Sequence, residues 1–280
     1  MTTAEHRIWR HFLRLRCGMD FPESRVRYLS QRLFERMRRQ NCRSYTEYYL
    51  LVAAAARRGD CDGELADLVD LLLNNQSSFF RHPPSFEALA GTVLPELIRV
   101  RRATGAETIA MWSAGCAAGQ EAYSLAMTYL DRPDSDRWRL KVTGTDIARP
   151  ALARAERGRY RPSEVRNVGD DRLRAYMAAE EGPAGVSYVV DDRVRALASF
   201  GFLNLADPDD YWIAPQDVIF CQNVLIYFDP ADRLEVAGRL CDRLKPGGAL
   251  ILGPGEVVCL RRPGIRTAAL GGVHVYRRVS

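Results

Sequence analysis

The order of apolar and polar positions divides this chain into a helical first part and an alternating remainder. Ile8, Phe12 and Leu15 predict one face of a first helix. Val26, Leu29, Leu33 and Met37 predict the stripe of a second helix running through Arg38, with Ser24 placed to cap it. The polar run 74–78, the pair Phe79 and Phe80, Arg81 and the double proline Pro83–Pro84 then end regular structure and predict a junction. Beyond Phe86, short apolar runs at 108–112, 140–147, 217–221 and 249–253 predict strands. Helical patterns from Gln120, over 150–158 and over 230–244 fall between them. The alternation predicts an α/β fold with a mostly parallel sheet. We expect a helical domain over 1–85 and a second domain over 86–280. Two runs at 265–270 and 273–277, split by Gly271 and Gly272, predict a closing hairpin. Between about 165 and 203 the alternation breaks. There 186–190 and 193–200 predict strands about a turn at Asp191 and Asp192, a small antiparallel insertion.

The stretch 108–121, TIAMWSAGCAAGQE, concentrates the candidate chemistry. A buried strand runs into a loop that includes Gly115 and holds only small side chains. A helix then follows, with Ala122, Leu125, Ala126 and Tyr129 at helical spacing. Such a turn brings backbone N–H groups and a helix N-terminus to a ligand. Glu121, in the first helical turn, would repel a phosphate, which disfavours a pyrophosphate dinucleotide and suits a ribose or a cation. A tight strand–helix turn without a ligand is the plain alternative. Asp146, about thirty positions further on at the end of the next strand, is placed to accept hydrogen bonds from ribose hydroxyls.

Composition narrows the class. The 280 residues are 47% hydrophobic and 27% charged, enough for a core without covalent staples. No apolar run approaches 18 residues, which predicts a cytoplasmic protein without membrane insertion. The seven cysteines are scattered, and the four histidines do not cluster near them, so neither disulfides nor a metal site is expected. Net charge is +5, and Lys141 and Lys245 are the sole lysines. Thirteen arginines lie between Arg7 and Arg58 against four acidic residues. Arg25, Arg32, Arg36 and Arg39 share a helical face that would suit an acidic partner. No basic–aromatic interleaving marks a nucleic-acid face.

Five segments in fixed order, NNQSSFFR, WSAGCAAGQEAYSLAM, TGTDI, FGFLNL and FCQNVLIYFD followed by KPGG, closely resemble the CheR family. These are chemotaxis methyltransferases that esterify receptor glutamates using S-adenosylmethionine. The resemblance covers nearly the whole chain. It implies a class I methyltransferase (Rossmann-like) sheet with an N-terminal helical domain and a small antiparallel β insertion. It also implies roles residue by residue. Asn75, Ser77 and Arg81 match a segment over the cofactor's reactive end, Gly115 the cofactor loop, and Glu121 and Asp146 its acidic contacts. Asn204 and Leu205 match a pair on the adenine side, and Gln222, Asn223 and Tyr227 the transfer site, with Gln222 and Asn223 also expected to contact the cofactor. Tyr227 and Arg81 are the expected catalytic pair, Tyr227 as a neutral donor and Arg81 for positioning. A receptor glutamate is already a carboxylate at neutral pH, so geometry and water exclusion matter more than a base.

Ala118, Gln120 and Ala122 depart from the family's usual residues, and Gln222 replaces its Arg. The resemblance further implies a monomer whose Arg-rich N-terminal helix meets the acidic cytoplasmic helices of chemoreceptors. The alternatives are a class I methyltransferase with another substrate and a non-catalytic cofactor-binding adaptor.

Overall fold

The computed structural model describes residues 1–57, 63–73, 77–183, 185–256 and 258–279. Asn75 lies outside the described residues. Helix α1 (Thr3–Cys17) opens with a reciprocal Thr2–Glu5 capping box and closes at Gly18, whose φ of 71° suits a residue without Cβ. It buries His6, Trp9, Phe12, Leu13 and Cys17. Of the expected face only Phe12 is inside; Ile8 and Leu15 point outward, 48% and 67% exposed. Trp9 sets the rotation, stacking on Tyr48 with ring centroids 5.3 Å apart.

Helix α2 (Val26–Arg39) buries Leu29, Leu33 and Met37 as expected. A 3₁₀ turn, Glu23–Arg25, precedes it, so Ser24 lies within that turn and no side chain caps α2. Helices α3 (Tyr45–Arg57) and α4 (Glu64–Leu72) complete the cluster around Trp9, Phe21 and Tyr48. Arg36 is buried here. Its Nε donates to Glu64 at 2.8 Å and its Nη2 to Asp67 at 2.6 Å. It is therefore removed from the Arg face that helical spacing predicts, because α4 packs acidic residues against that side of α2. Arg25 and Arg32 lie over Tyr28, each 5.3 Å from the ring centre, and Arg39 pairs with Glu35.

Helix α5 (Pro83–Ala88) passes through a π turn, Leu89–Val93, into α6 (Leu94–Ala103). Then follow β1 (Thr108–Ala114), α7 (Gln120–Leu130), β2 (Arg139–Asp146), α8 (Arg149–Arg157), β3 (Arg159–Tyr160), α9 (Asp170–Tyr176), β4 (Met177–Gly182) and β5 (Gly185–Val190). The chain continues through α10 (Asp192–Arg195), β6 (Ala198–Phe202), β7 (Gln216–Cys221), α11 (Pro230–Asp242), β8 (Leu244–Leu252), β9 (Ile265–Leu270) and β10 (Val273–Arg278). The main sheet runs β6-β2-β1-β7-β8-β10-β9. Its first five strands are parallel, and β10 is antiparallel to both neighbours. The closing hairpin is therefore present, joined to the sheet through β10.

The small sheet β3-β5-β4 is antiparallel, but its pairing differs from expectation. Strand β5 pairs with Met177–Gly182, residues 193–195 are helical, and Ala198–Phe202 joins the main sheet beside β2. Strand β4 has one buried residue followed by five exposed ones, so it carries no apolar alternation to read. The KPGG segment lies inside β8, not in a loop after the helix, and the register shifts opposite it between Gln216 and Val218.

Strand order reverses between β1, which leads outward to β2, and β7, which leads the other way. A crevice forms at the carboxyl ends of these strands. The opposite end is fastened by Asp217, which is fully buried. Its Oδ1 accepts from Arg101 Nε at 2.6 Å. Its Oδ2 accepts from Lys245 Nζ at 2.7 Å and from the Ala110 amide at 2.8 Å.

Candidate active site

At the end of β1 the loop Gly115–Gly119 turns back under β2. The amides of Gly115 and Cys116 both donate to the Thr145 carbonyl, at 2.8 and 2.9 Å. Gly115 has a φ of 85°, and a Cβ there would overlap the Val224 side chain, so only glycine fits between loop and β7. Asp146 at the end of β2 fastens the loop. Its Oδ2 accepts from the Ala117 amide and its Oδ1 from the Ala148 amide, both at 2.8 Å. Burial raises its pKa, and those amides oppose the rise.

Glu121, in the first turn of α7, accepts from Ser113 Oγ at 2.7 Å. Burial pushes its carboxyl up to about 8. The Ser113 hydroxyl and the Arg81 charge restrain the rise, and the Glu256 charge adds to it. Glu256 is buried after β8. Its Oε2 accepts from the Asn223 and Gly253 amides at 2.6 and 3.1 Å, and its Oε1 from the Ile226 amide at 3.2 Å. Burial raises its pKa as well. Asn223 itself has a φ of 61°, Ala117 of 47° and Phe80 of 48°. Backbone strain is thus gathered in three segments that meet at this crevice.

The crevice is a cleft of about 920 Å³, counting the open space at its mouth. Ser77, Arg81, Gly115, Glu121, Asp146, Asn204, Leu205, Gln222, Asn223 and Tyr227 all line it. These are every sequence-predicted site residue within the described residues. They come from widely separated segments, and the fold alone brings them together. Among the described lining residues Arg81 is the one cationic side chain.

Two placements qualify the expectations. The side chain of Asn204 is engaged by protein: Nδ2 donates to the Arg16 carbonyl at 2.8 Å and Oδ1 accepts from the Ala206 amide at 3.0 Å. Gln222 is buried, and its Nε2 donates to Ser85 Oγ at 2.7 Å. Ser85 Oγ in turn lies 2.8 Å from His82 Nδ1. The amide that replaces the family's Arg is therefore satisfied without a charge.

Sequence reasoning assigned no role to Ser85, and Glu256 enters it only as the glutamate that the family keeps after its last parallel strand. It also missed Cys17, Met19 and Leu73, which bring the N-terminal helices into the cleft wall. Cys17 ends α1 and Met19 lies just beyond its Gly18 cap, and only tertiary structure carries them there.

The donor set suits a positively charged nucleoside. Two carboxylates flank a loop of small residues, each carboxylate oxygen keeps lone-pair capacity, and the elevated Glu121 pKa is what a nearby cation would reverse. A mostly parallel sheet in this order, a small-residue loop after β1 and an acid ending β2 define a class I S-adenosylmethionine-dependent methyltransferase. A family model described as CheR methyltransferase, SAM binding domain, matches residues 75–266, and one described as CheR methyltransferase, all-alpha domain, matches residues 4–73. This chain belongs to the CheR methyltransferase family. Chemotaxis protein methyltransferase 1 of Pseudomonas aeruginosa is 33% identical over 260 residues, covering 91% of this chain and 90% of that protein. The chemotaxis protein methyltransferase of Escherichia coli is 30% identical over 252 residues, covering 88% and 84%. Chemotaxis protein methyltransferase Cher2 of Pseudomonas putida is 31% identical over 255 residues, covering 89% of each.

The raised carboxyl of Glu121 predicts a pH signature of the ligand-free protein. A carboxyl whose folded pKa lies above its unfolded value stabilises the fold most below the unfolded pKa, and loses that contribution as pH rises through the folded one. Stability is expected to fall between about pH 4.5 and pH 8, by on the order of 1–3 kcal/mol from this group. Glu121→Gln is expected to flatten that fall in urea denaturation measured across the interval. An unchanged slope would contradict the assignment.

Proposed function

We propose that this chain forms methyl esters on glutamate side chains of chemoreceptor cytoplasmic helices, as a cytoplasmic monomer. The observation that carries the proposal is the convergence of ten candidate residues on one cleft at the switch point of a CheR-family sheet. S-adenosylmethionine supplies, when bound, an electrophilic methyl group on a sulfonium. Asp146 and Glu121 would accept from its hydroxyl or ammonium groups, and the Gly115–Gly119 loop would line its nucleoside. Leu205 supplies apolar contact on the adenine side, while Asn204 holds that turn against α1. Ser77 and Arg81 close over the reactive end. Asn223 and Tyr227 face the incoming carboxylate, with Gln222 held through Ser85.

Tyr227 orients the carboxylate as a neutral donor, and Arg81 positions it without pairing so firmly that its nucleophilicity is lost. Phe86, Leu203, Val224 and Phe228 exclude water from the same space, which strengthens every polar contact within it. No general base is needed, because the acceptor is already ionised.

The receptor-facing surface is the helical domain over about 1–85. Arg25, Arg32 and Arg39 remain on its outer side after Arg36 is withdrawn, with Arg27 and Arg38 exposed beside them. They would steer acidic helices, so transfer should slow as salt rises.

The test incubates the protein with methyl-labelled S-adenosylmethionine and receptor-bearing membranes of its source cells, then measures base-labile methanol. Methanol release that weakens with salt and falls in both Arg81→Ala and Tyr227→Phe is the expected result. No release, with S-adenosylhomocysteine binding intact, would favour an adaptor.

A further inference from the structure

The last turn of α1 and the residues just after it grip the segment that follows β7 at three successive residues. The Asp20 amide donates to the Tyr227 carbonyl at 2.8 Å. Gly18 packs flat on Phe228, where a Cβ would run into the ring. Arg14 spans two carboxylates: its Nη1 lies 2.5 Å from Asp229, and its Nε donates to Asp232 at 2.7 Å. Asp229 uses its other oxygen to cap α11, accepting from the amides of Ala231 and Asp232 at 2.9 Å. Arg14 therefore closes the joint at which the 3₁₀ turn Leu225–Tyr227 becomes α11. On the other flank Glu256 holds Asn223 and Ile226. Tyr227 stands between these two fastenings.

We propose that Arg14 is a positioning residue for methyl transfer, fixing Tyr227 through Asp229 and Asp232. The inference rests on the reading that Tyr227 acts in the transfer step. Several features favour it over a merely structural pair. Arg14 is 39% exposed on its side chain, while Asp229 is 12% exposed. The grip falls on the turn bearing Tyr227 and not on the end of β2 or the first turn of α7, where Asp146 and Glu121 sit. Loss of the grip should therefore disturb the transfer geometry and spare cofactor binding. A planar guanidinium spans two carboxylates at fixed angles, which an ammonium does not. Small displacements of a reacting group lower rate steeply.

The test compares Arg14→Ala, Arg14→Lys, Tyr227→Phe and the double variant Arg14→Ala/Tyr227→Phe. Transfer from methyl-labelled S-adenosylmethionine to source-cell receptor membranes is measured alongside S-adenosylhomocysteine affinity by calorimetry, which also reports folding. Arg14→Ala is expected to lower kcat about tenfold, with product affinity unchanged within about twofold and Arg14→Lys in between. In the Tyr227→Phe background the same change is expected to cost less than about twofold, because both substitutions remove one arrangement. A full additive loss, or a loss expressed as weaker cofactor binding, overturns the role of Arg14 while leaving that of Tyr227. A silent Tyr227→Phe overturns the reading of Tyr227 and this inference with it.

Discussion

Asp146→Ala is expected to weaken S-adenosylhomocysteine binding about 100-fold or more and to remove methyl transfer at ordinary cofactor concentrations. The size follows from two separate losses. The ligand loses an acidic acceptor, and the Ala117 and Ala148 amides lose theirs, each within a buried site. Asp146→Asn should be nearly as harmful, although it preserves size. Both carboxylate oxygens accept from backbone N–H groups, and a side-chain amide offers one of those groups an NH₂ instead of an oxygen. Calorimetry on both variants checks the point. Asn behaving like the parent would show that the carboxylate is not anchored this way.

The second large effect concerns stability and lies away from the cleft. Asp217→Ala is expected to destabilise the protein by about 3–5 kcal/mol, because it leaves Arg101 and Lys245 without their buried counter-charge. On a chain of this size that is a fall in melting temperature on the order of 10 °C. Asp217→Leu combined with Arg101→Met should recover part of the loss, since it removes the buried guanidinium along with its partner but leaves the partly exposed Lys245 and the Ala110 amide without an acceptor. Binding per folded molecule should not change in either case, because this cluster and the cleft lie at opposite ends of the sheet. A fall in melting temperature below about 2 °C would show that water reaches the site and screens it.

The legible parts of this molecule were those with a local physical signature. The parallel strands read from their continuous apolar runs, and the loop at Gly115 with Glu121 and Asp146 read from small residues and acids at the strand ends, whereas the other pieces of the cleft were legible through the family resemblance. What escaped the sequence was set by tertiary partners. The rotation of α1 depends on Trp9 meeting Tyr48, 39 positions later (48 − 9), which outweighed the Ile8–Leu15 pattern. Strand β4 is Ala- and Glu-rich and mostly exposed, so it has no alternation, and its pairing with β5 is a matter of backbone hydrogen bonds. Arg36 looked like surface because its acceptors arrive from α4, 28 and 31 residues away. Glu256 is an acceptor for a turn 30 and 33 positions earlier, a role no short motif encodes.

The cleft wall formed by Cys17, Met19 and Leu73 bears on how such a chain can change over time. Two family models meet between residues 73 and 75, as though two inherited parts had been joined. Yet the chemistry straddles that seam: the first part supplies wall residues, and its α1 touches the turn of the second that bears Tyr227. A helical region borrowed from a distant relative would bring its own partner surface, but also a different wall and a different hold on that turn. On the proposed function, partner choice and turnover are tied in one inheritance, and recombination at the seam would alter both together.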